Sequence, residues 1–378
     1  MNIPFNKATL FGTEIRYIMD VLSSGNIGGD HKFSKECQNL MKEKFNAKSI
    51  FLTTSCSMAL DMCGILADIK HGDEIILPSY TFVTSANVFV LHGAKPVFVD
   101  IRKDNMNIDE NKIEQAITSK TKAIVVVHYA GVACEMDKIM EIAKKHNLIV
   151  IEDAAQGVNA TYKGKYLGTI GDLGAYSFHE TKNYSCGEGG AIIINNPKFL
   201  ERAEIIREKG TNRSKFLRGE VDKYTWVDVG NSFLPSDILA AVLLPQLENM
   251  NVIQNKRKQI YDYYYSGLKY LEEQGIIQLP SIPKDCESNY HMFYLLLENF
   301  EKRNNVLSAL KENGIYSVFH YVPLHTSPMG KSFGYKEGDL PITEHVGKTL
   351  IRIPFYYDIT KEEQDYIIKN LKEILCKI

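Results

Sequence analysis

The sequence predicts an α/β protein, with a large domain on a mostly parallel sheet and a smaller C-terminal α/β domain behind it. Three observations carry this prediction. First, short apolar runs at residues 49–52, 74–77, 96–100, 123–128 and 148–152 alternate with helical stretches such as 58–69 and 136–146. Apolar runs separated by helices mark parallel strands buried on both faces, because crossover helices cover the sheet on each side. Second, one more strand at 191–194 and a helix at 197–209 give way to a long helical stretch that starts at Ser236 and runs through residues 261–271. Third, the alternation then resumes with a strand at 293–297, a helix at 305–313, a strand at 317–322 and a helix at 360–375. A chain of 378 residues suits two packed domains. Pro245 should interrupt or kink the long helix, so the boundary is placed there: residues 1–245 form the large domain and 246–378 the small one.

The N-terminal elements follow from spacing. Ile15, Ile18, Met19 and Leu22 repeat at helical intervals over residues 12–24, and Gly25 is a natural stop. A second helix should present Phe33, Cys37, Leu40 and Met41 on one face.

Composition narrows the class. Hydrophobic residues make up 44% and charged residues 24%, the balance of a folded globular chain. Lys and Arg number 44 against 46 Asp and Glu, so no basic excess points to a nucleic-acid partner. No apolar run approaches the roughly 18 residues needed to span a membrane, and the first residues lack a signal core. Seven cysteines without a CxxC pair read as free thiols in a reducing compartment. A cytoplasmic enzyme is the expectation, with a soluble scaffold as the alternative.

The chemistry gathers at strand ends. Residues 53–57, Thr-Thr-Ser-Cys-Ser, join a strand to a helix, where hydroxyls and free N–H groups make an anion site; a plain serine N-cap explains them as well. In the 78–83 segment Phe82 offers a flat face for stacking, or is a core residue. Glu152 and Asp153 close an apolar strand, as carboxylates for a cationic partner or as helix caps. Lys182 sits in a polar stretch between a strand at 175–178 and the turn Gly187-Glu188-Gly189-Gly190. Burial there lowers an amine's pKa and frees a nucleophile, although a solvated loop is the common fate of a lysine. Each signal alone is weak. Together and in this order they supply what pyridoxal phosphate (PLP) requires: an anion cradle, a stacking face, an acid for the ring nitrogen and an imine-forming lysine.

With those residues in place, the chain resembles the sugar aminotransferases of the DegT/DnrJ/EryC1/StrS family, which have the aspartate-aminotransferase-like fold type I. The resemblance runs over nearly the whole chain and rests on PSYTFV (78–83), VHYAG (127–131), EDAAQG (152–157), SFHETKN (177–183), GEGGA (187–191) and FHYVPLH (319–325). MNIDE (106–110), HYAGVACEMD (128–137), REKGTNRS (207–214) and VDKYTW (221–226) are similar to the subgroup that makes dTDP-4-amino-4,6-dideoxygalactose. The resemblance implies that Lys182 forms the Schiff base with PLP and that Asp153 pairs with the pyridinium nitrogen. It places Gln156 near the phenolic oxygen, Phe82 on the ring, and Cys56, Ser57 and Ser177 on the phosphate. His320, Tyr321 and His325 fall where relatives approach the nucleotide sugar. Relatives often reach the partner subunit's phosphate with an Asn in a G-x-N-x-[RK] stretch; here residues 230–234 read Gly-Asn-Ser-Phe-Leu, so Ser232 takes that place. The implied reaction moves an amino group from L-glutamate to C4 of dTDP-4-dehydro-6-deoxy-D-glucose in a homodimer. Amination at C3 and a non-catalytic PLP-binding regulator are the alternatives. The dehydratase branch, in which histidine replaces the imine lysine, is disfavoured by Lys182.

Two patterns are set aside. Residues 168–174 space their glycines as G-x-x-G-x-x-G rather than as a dinucleotide loop, and read as a hairpin leading into Ala175. His320 and His325 have no cysteine or acidic ligand close in sequence, so no metal is expected.

Overall fold

The computed structural model describes residues 1–377. Two helices lead, α1 (Thr13–Ser24) and α2 (Lys32–Phe45). The alternation follows: β1 (Ser49–Thr53), α3 (Cys56–Leu66), β2 (Glu74–Pro78), α4 (Thr84–Leu91), β3 (Lys95–Val99), α5 (Glu110–Ile113), β4 (Thr121–Val127), α6 (Met136–His146) and β5 (Ile149–Asp153). A small hairpin, β6 (Thr161–Tyr162) and β7 (Lys165–Tyr166), precedes β8 (Leu173–Ser177) and β9 (Gly190–Ile194), and then come α7 (Leu200–Arg207) and α8 (Arg213–Leu217).

Seven of these strands form one sheet in the order β1-β9-β8-β5-β4-β2-β3. Pairing is parallel from β3 through β2, β4 and β5 to β8, and β9 runs antiparallel to both β8 and β1. The parallel strands thus point their carboxyl ends one way, and the chain that turns from β8 back into β9 crosses that same end. This is the loop that carries Lys182. Side chains such as Ile76, Ile124, Val126 and Val150 pack on one face with α2, α6 and α9 (Asp237–Glu248), and Ile75, Val125 and Ile151 pack on the other with α3 and α4.

The small domain follows as α10 (Met250–Glu273), β10 (Cys286–Glu287), β11 (Tyr294–Leu296), α11 (Phe300–Glu312), β12 (Val318–Phe319), α12 (Pro328–Ser332), α13 (Pro341–Thr349), β13 (Leu350–Arg352) and α14 (Lys361–Leu375). Its sheet is antiparallel in the order β11-β13-β12, while β10 pairs with β6 of the large domain. Among the described residues no helix is long and apolar enough to cross a membrane.

Pro245 lies inside α9, and the break comes at Asn249, whose backbone N–H bonds back to the Pro245 carbonyl. Helix α10 then passes between the two domains: Met250 and Ile253 belong to the core on the large sheet, and Ile260, Tyr264 and Leu268 to that of the small domain. The first residues of the chain also pack with the small domain, where Ile3 bridges Ile315.

Two sequence expectations are corrected. Of the apolar stripe of α1 only Ile18 packs against the core; Ile15, Met19 and Leu22 face outward, 71%, 56% and 50% exposed, while Glu14 and Val21 are buried. The cause is polar: the Glu14 carboxylate accepts the N–H of Phe11 and the side-chain amide of Gln246, which fixes the rotation of the helix. Residues 168–174 are not a hairpin into Ala175, since β8 pairs parallel with β5. Instead the N–H groups of Gly168, Ile170 and Gly171 close around the buried Glu152 carboxylate at 2.8, 2.6 and 2.6 Å.

Candidate active site

A cavity of about 500 Å³ opens at the carboxyl ends of the parallel strands, where the two domains meet. Cys56, Ser57, Phe82, Asp153, Gln156, Ser177 and Lys182 line it from the large domain, and His320 and Tyr321 from the small one. The fold therefore brings together nine of the residues singled out in the sequence. Ser232 and His325 lie elsewhere.

The anion cradle comes from how α3 begins. Ser55 has extended backbone angles and its hydroxyl accepts the N–H of Met58, which makes it the N-cap. The N–H groups of the next residues have no intrahelical acceptor and, with the helix dipole, favour a negative charge. Gly190 at the start of β9 lies against this turn; a Cβ there would stand 2.3 Å from the Ser55 carbonyl carbon and 2.4 Å from the Cys56 nitrogen. Only glycine lets the strand approach so closely. Burial, and then the charge of Asp153, push the Cys56 thiol well above its ordinary range, so it is a neutral donor and not a thiolate.

The two carboxylates at the end of β5 part company because side chains alternate along a strand. Glu152 turns away from the cavity to its three N–H groups and to His128 Nε2 at 2.9 Å. His128 Nδ1 accepts the Cys134 N–H, so Nε2 carries the proton that is donated to Glu152. Asp153 faces the cavity. Its Oδ2 accepts the Ser85 hydroxyl at 2.6 Å and its Oδ1 the N–H of Ala155 at 3.1 Å. Both bonds hold the carboxylate in place and leave lone pairs for a cationic N–H.

Lys182 is half-buried and faces the cavity from a loop pinned by three bonds, Phe178 N–H to Gly189, Cys186 N–H to Phe178 and Glu180 N–H to Gly187. Its ammonium makes no ion pair among the described residues. Burial lowers its pKa, with the charge of Asp153 opposing and that of Arg352 acting in the same direction. Burial without a counter-ion favours the neutral, nucleophilic form of an amine.

Phe82 forms an outer wall and is 59% exposed. Gln156 spans the domains: its oxygen accepts the Ala130 N–H at 2.7 Å and its amide donates to the Tyr321 hydroxyl at 3.1 Å.

Sequence reasoning missed Arg352 and His291, both in the cavity. Arg352 ends β13, stacks on Phe5 and donates from Nη1 to His320 Nε2 at 3.3 Å. Its Nε is buried without a partner, and no carboxylate lies within ion-pair distance among the described residues. Because a guanidinium only donates, His320 must hold its proton on Nδ1, which meets the Tyr129 hydroxyl at 3.2 Å. A lone arginine in the apolar run Leu-Ile-Arg-Ile was the available signal. A partnerless buried charge is costly and expects an anion.

His325 is corrected from a substrate residue to an internal strut. It is fully buried, with Nδ1 2.8 Å from the Ser79 hydroxyl and Nε2 3.0 Å from Glu344, and its own N–H also bonds Ser79. The serine–histidine–carboxylate line resembles a hydrolytic triad, but Ser79 is sealed and outside the cavity. It ties the loop after β12 to the end of β2. Ser232 is exposed, with its N–H on the Asn231 side chain. Trp226, 77% exposed, and Val229, 57% exposed, belong to the same stretch of chain.

A model of the DegT/DnrJ/EryC1/StrS aminotransferase family matches residues 10–372. The chain belongs to this family. It is 36% identical over 372 residues to an uncharacterized protein of Methanocaldococcus jannaschii, covering 96% of this chain and 95% of that one. It is 31% identical over 372 residues to the GDP-perosamine synthase of Escherichia coli O157:H7, covering 98% of each. A putative sugar aminotransferase of Streptococcus pneumoniae in its PLP form superposes with a TM-score of 0.92 at 28% identity, over 100% of this chain and 99% of that one. Family, fold type I architecture and cavity agree: the protein is a PLP-dependent sugar aminotransferase. The residues present fit the cofactor, with a helix N-terminus and hydroxyls for its phosphate, a fixed carboxylate for its ring nitrogen and an unpaired amine for its aldehyde carbon.

Proposed function

We propose that the enzyme moves the amino group of L-glutamate to C4 of dTDP-4-dehydro-6-deoxy-D-glucose, giving dTDP-4-amino-4,6-dideoxy-D-galactose and 2-oxoglutarate. The observation that carries the reading is Lys182, an amine with no ion pair among the described residues, facing Asp153 across a cavity that also holds the N-terminus of α3. When bound, PLP supplies the electron sink and carries the amino group between the two substrates.

The chain's own residues do the rest. Lys182 anchors the cofactor and, once released, moves the proton at the carbon bearing the amine. Asp153, braced by Ser85, holds the ring nitrogen's proton. Cys56, Ser57 and Ser177 take the phosphate, and Phe82 covers the ring. Arg352 seats a carboxylate of glutamate, which answers its missing partner. His320 and Tyr321 sit on the route for the nucleotide sugar, a substrate class supported by the GDP-sugar product in the name of the Escherichia coli relative.

The working unit is a homodimer in the cytoplasm. Phe82 at the cavity and Trp226 and Val229 on the stretch that leads to Ser232 are exposed apolar side chains that a second copy would cover. Ser232, in place of the family's asparagine, would there reach the partner's phosphate site.

Incubation with dTDP-4-dehydro-6-deoxy-D-glucose and glutamate, followed by NMR of the product, tests the reading. An axial amine at C4 supports it. An amine at C3, or no reaction, rejects it.

A further inference from the structure

His291 reaches the cavity from the stretch before β11, and that stretch is held from behind. Arg257 donates from Nε to the Tyr290 carbonyl at 2.9 Å and from Nη2 to the His291 carbonyl at 2.6 Å. Asn289 donates to the carbonyls of Gln156 and Val158, both at 2.8 Å. Gly131 makes room for this, since a Cβ there would stand 2.0 Å from Asn289 Oδ1.

The ring itself is locked in one tautomer. His291 Nδ1 lies 2.9 Å from Asn183 Oδ1, and Asn183 Nδ2 lies 2.8 Å from the Asn289 carbonyl oxygen. A carbonyl only accepts, so the amide of Asn183 has one orientation and its oxygen faces the histidine. That oxygen also only accepts. The proton must therefore sit on Nδ1, and Nε2 carries a bare lone pair. Nε2 has no hydrogen-bond partner among the described residues, and the ring lines the cavity. Asn183 directly follows Lys182, so one turn of chain supplies both the amine and the tautomer lock.

We propose that His291 is a positioning residue for Lys182, with Nε2 accepting a hydrogen bond from the lysine's amino group whenever that amine is free. The titratable and charged groups around the ring are Lys182, Arg352 and the neutral His320 in the cavity and Arg257 behind, with Asp153 across from Lys182. Burial, and then the charges of Lys182 and Arg352, hold the ring neutral, so Nε2 remains an acceptor at neutral pH. An accepted bond aims the amine and favours its protonated form, which limits how far burial drives its pKa down. The inference rests on Lys182 being the reacting amine, but its tests need neither cofactor nor turnover.

In cofactor-free protein, the pH dependence of Lys182 labelling by trinitrobenzenesulfonate, read by peptide mass spectrometry, reports the pKa of the amine. His291→Phe removes the acceptor and should lower that pKa by about one unit, a tenfold change in acidity. His291→Gln, which can place an amide oxygen at the same point, should stay close to the parent. No change, or a rise, in His291→Phe overturns the proposal, because packing alone predicts the first and a cationic histidine the second. Nitrogen NMR of histidine-labelled parent protein, with His291→Gln for assignment, gives an independent check if the Phe variant does not fold. The expected state is protonated at Nδ1; a proton on Nε2 contradicts the proposal. Loss or retention of the cofactor anchor in Lys182→Ala is read separately, so the two claims fail apart.

Discussion

Glu152 and Asp153 are neighbours in sequence that face opposite sides of one sheet, the first sealed under a loop and the second open to the cavity. Their variants should separate stability from chemistry. Glu152→Ala leaves His128 and three N–H groups without a partner and should cost about 3–5 kcal/mol in urea unfolding. Asp153→Ala removes only two hydrogen bonds and should cost about 1–2 kcal/mol, yet reduce turnover by more than about a hundredfold. Equal losses of stability in the two variants would refute the assignment.

Arg352 gives a prediction about half-reactions. Arg352→Gln should raise the KM for the amino donor by about ten- to a hundredfold, the worth of a charge-assisted bond. The reaction of the preloaded, aminated enzyme with the keto sugar should change little. If the sugar half-reaction suffers instead, the guanidinium reads the nucleotide's phosphates and not the donor.

The pH profile of cofactor uptake follows from the sign of the Lys182 shift. The free amine attacks the cofactor's aldehyde, and burial lowers its pKa from the ordinary lysine value of 10.5. The uptake rate of cofactor-free protein should rise with pH and level off below 10.5. A rate still climbing at that pH would mean the amine is solvated.

His325→Ala should behave as the loss of a buried strut. Ser79 and Glu344 each lose the imidazole and keep only a backbone N–H, from residue 325 and from Gly338, at a cost of about 2–4 kcal/mol, while the KM for the nucleotide sugar in folded protein stays within about twofold. A large KM effect without loss of stability would restore His325 to the substrate site.

The parallel sheet was legible because its strands are apolar on both faces, and the strand ends pointed to residues 53–57, Phe82, the pair Glu152 and Asp153, and Lys182 before any contact was known. Spacing alone did not choose between Glu152 and Asp153, since a strand end shows two faces and only the loop at 168–171 decides which is taken. His291 and Arg352 were not legible for a different reason. They come more than a hundred residues after Lys182, from the second domain, and each is a single polar residue in an apolar run. The α1 stripe misled because periodicity reports a face but not what it meets; Glu14, buried on Gln246, set the rotation.

The central claim is that Lys182 holds the cofactor, and reduction with borohydride tests it most directly. Protein loaded with pyridoxal phosphate, reduced and digested, should carry the cofactor's mass on the peptide containing Lys182, and Lys182→Ala should carry none and lose the visible absorbance. The label on another lysine, or a yellow Lys182→Ala protein, would contradict the account.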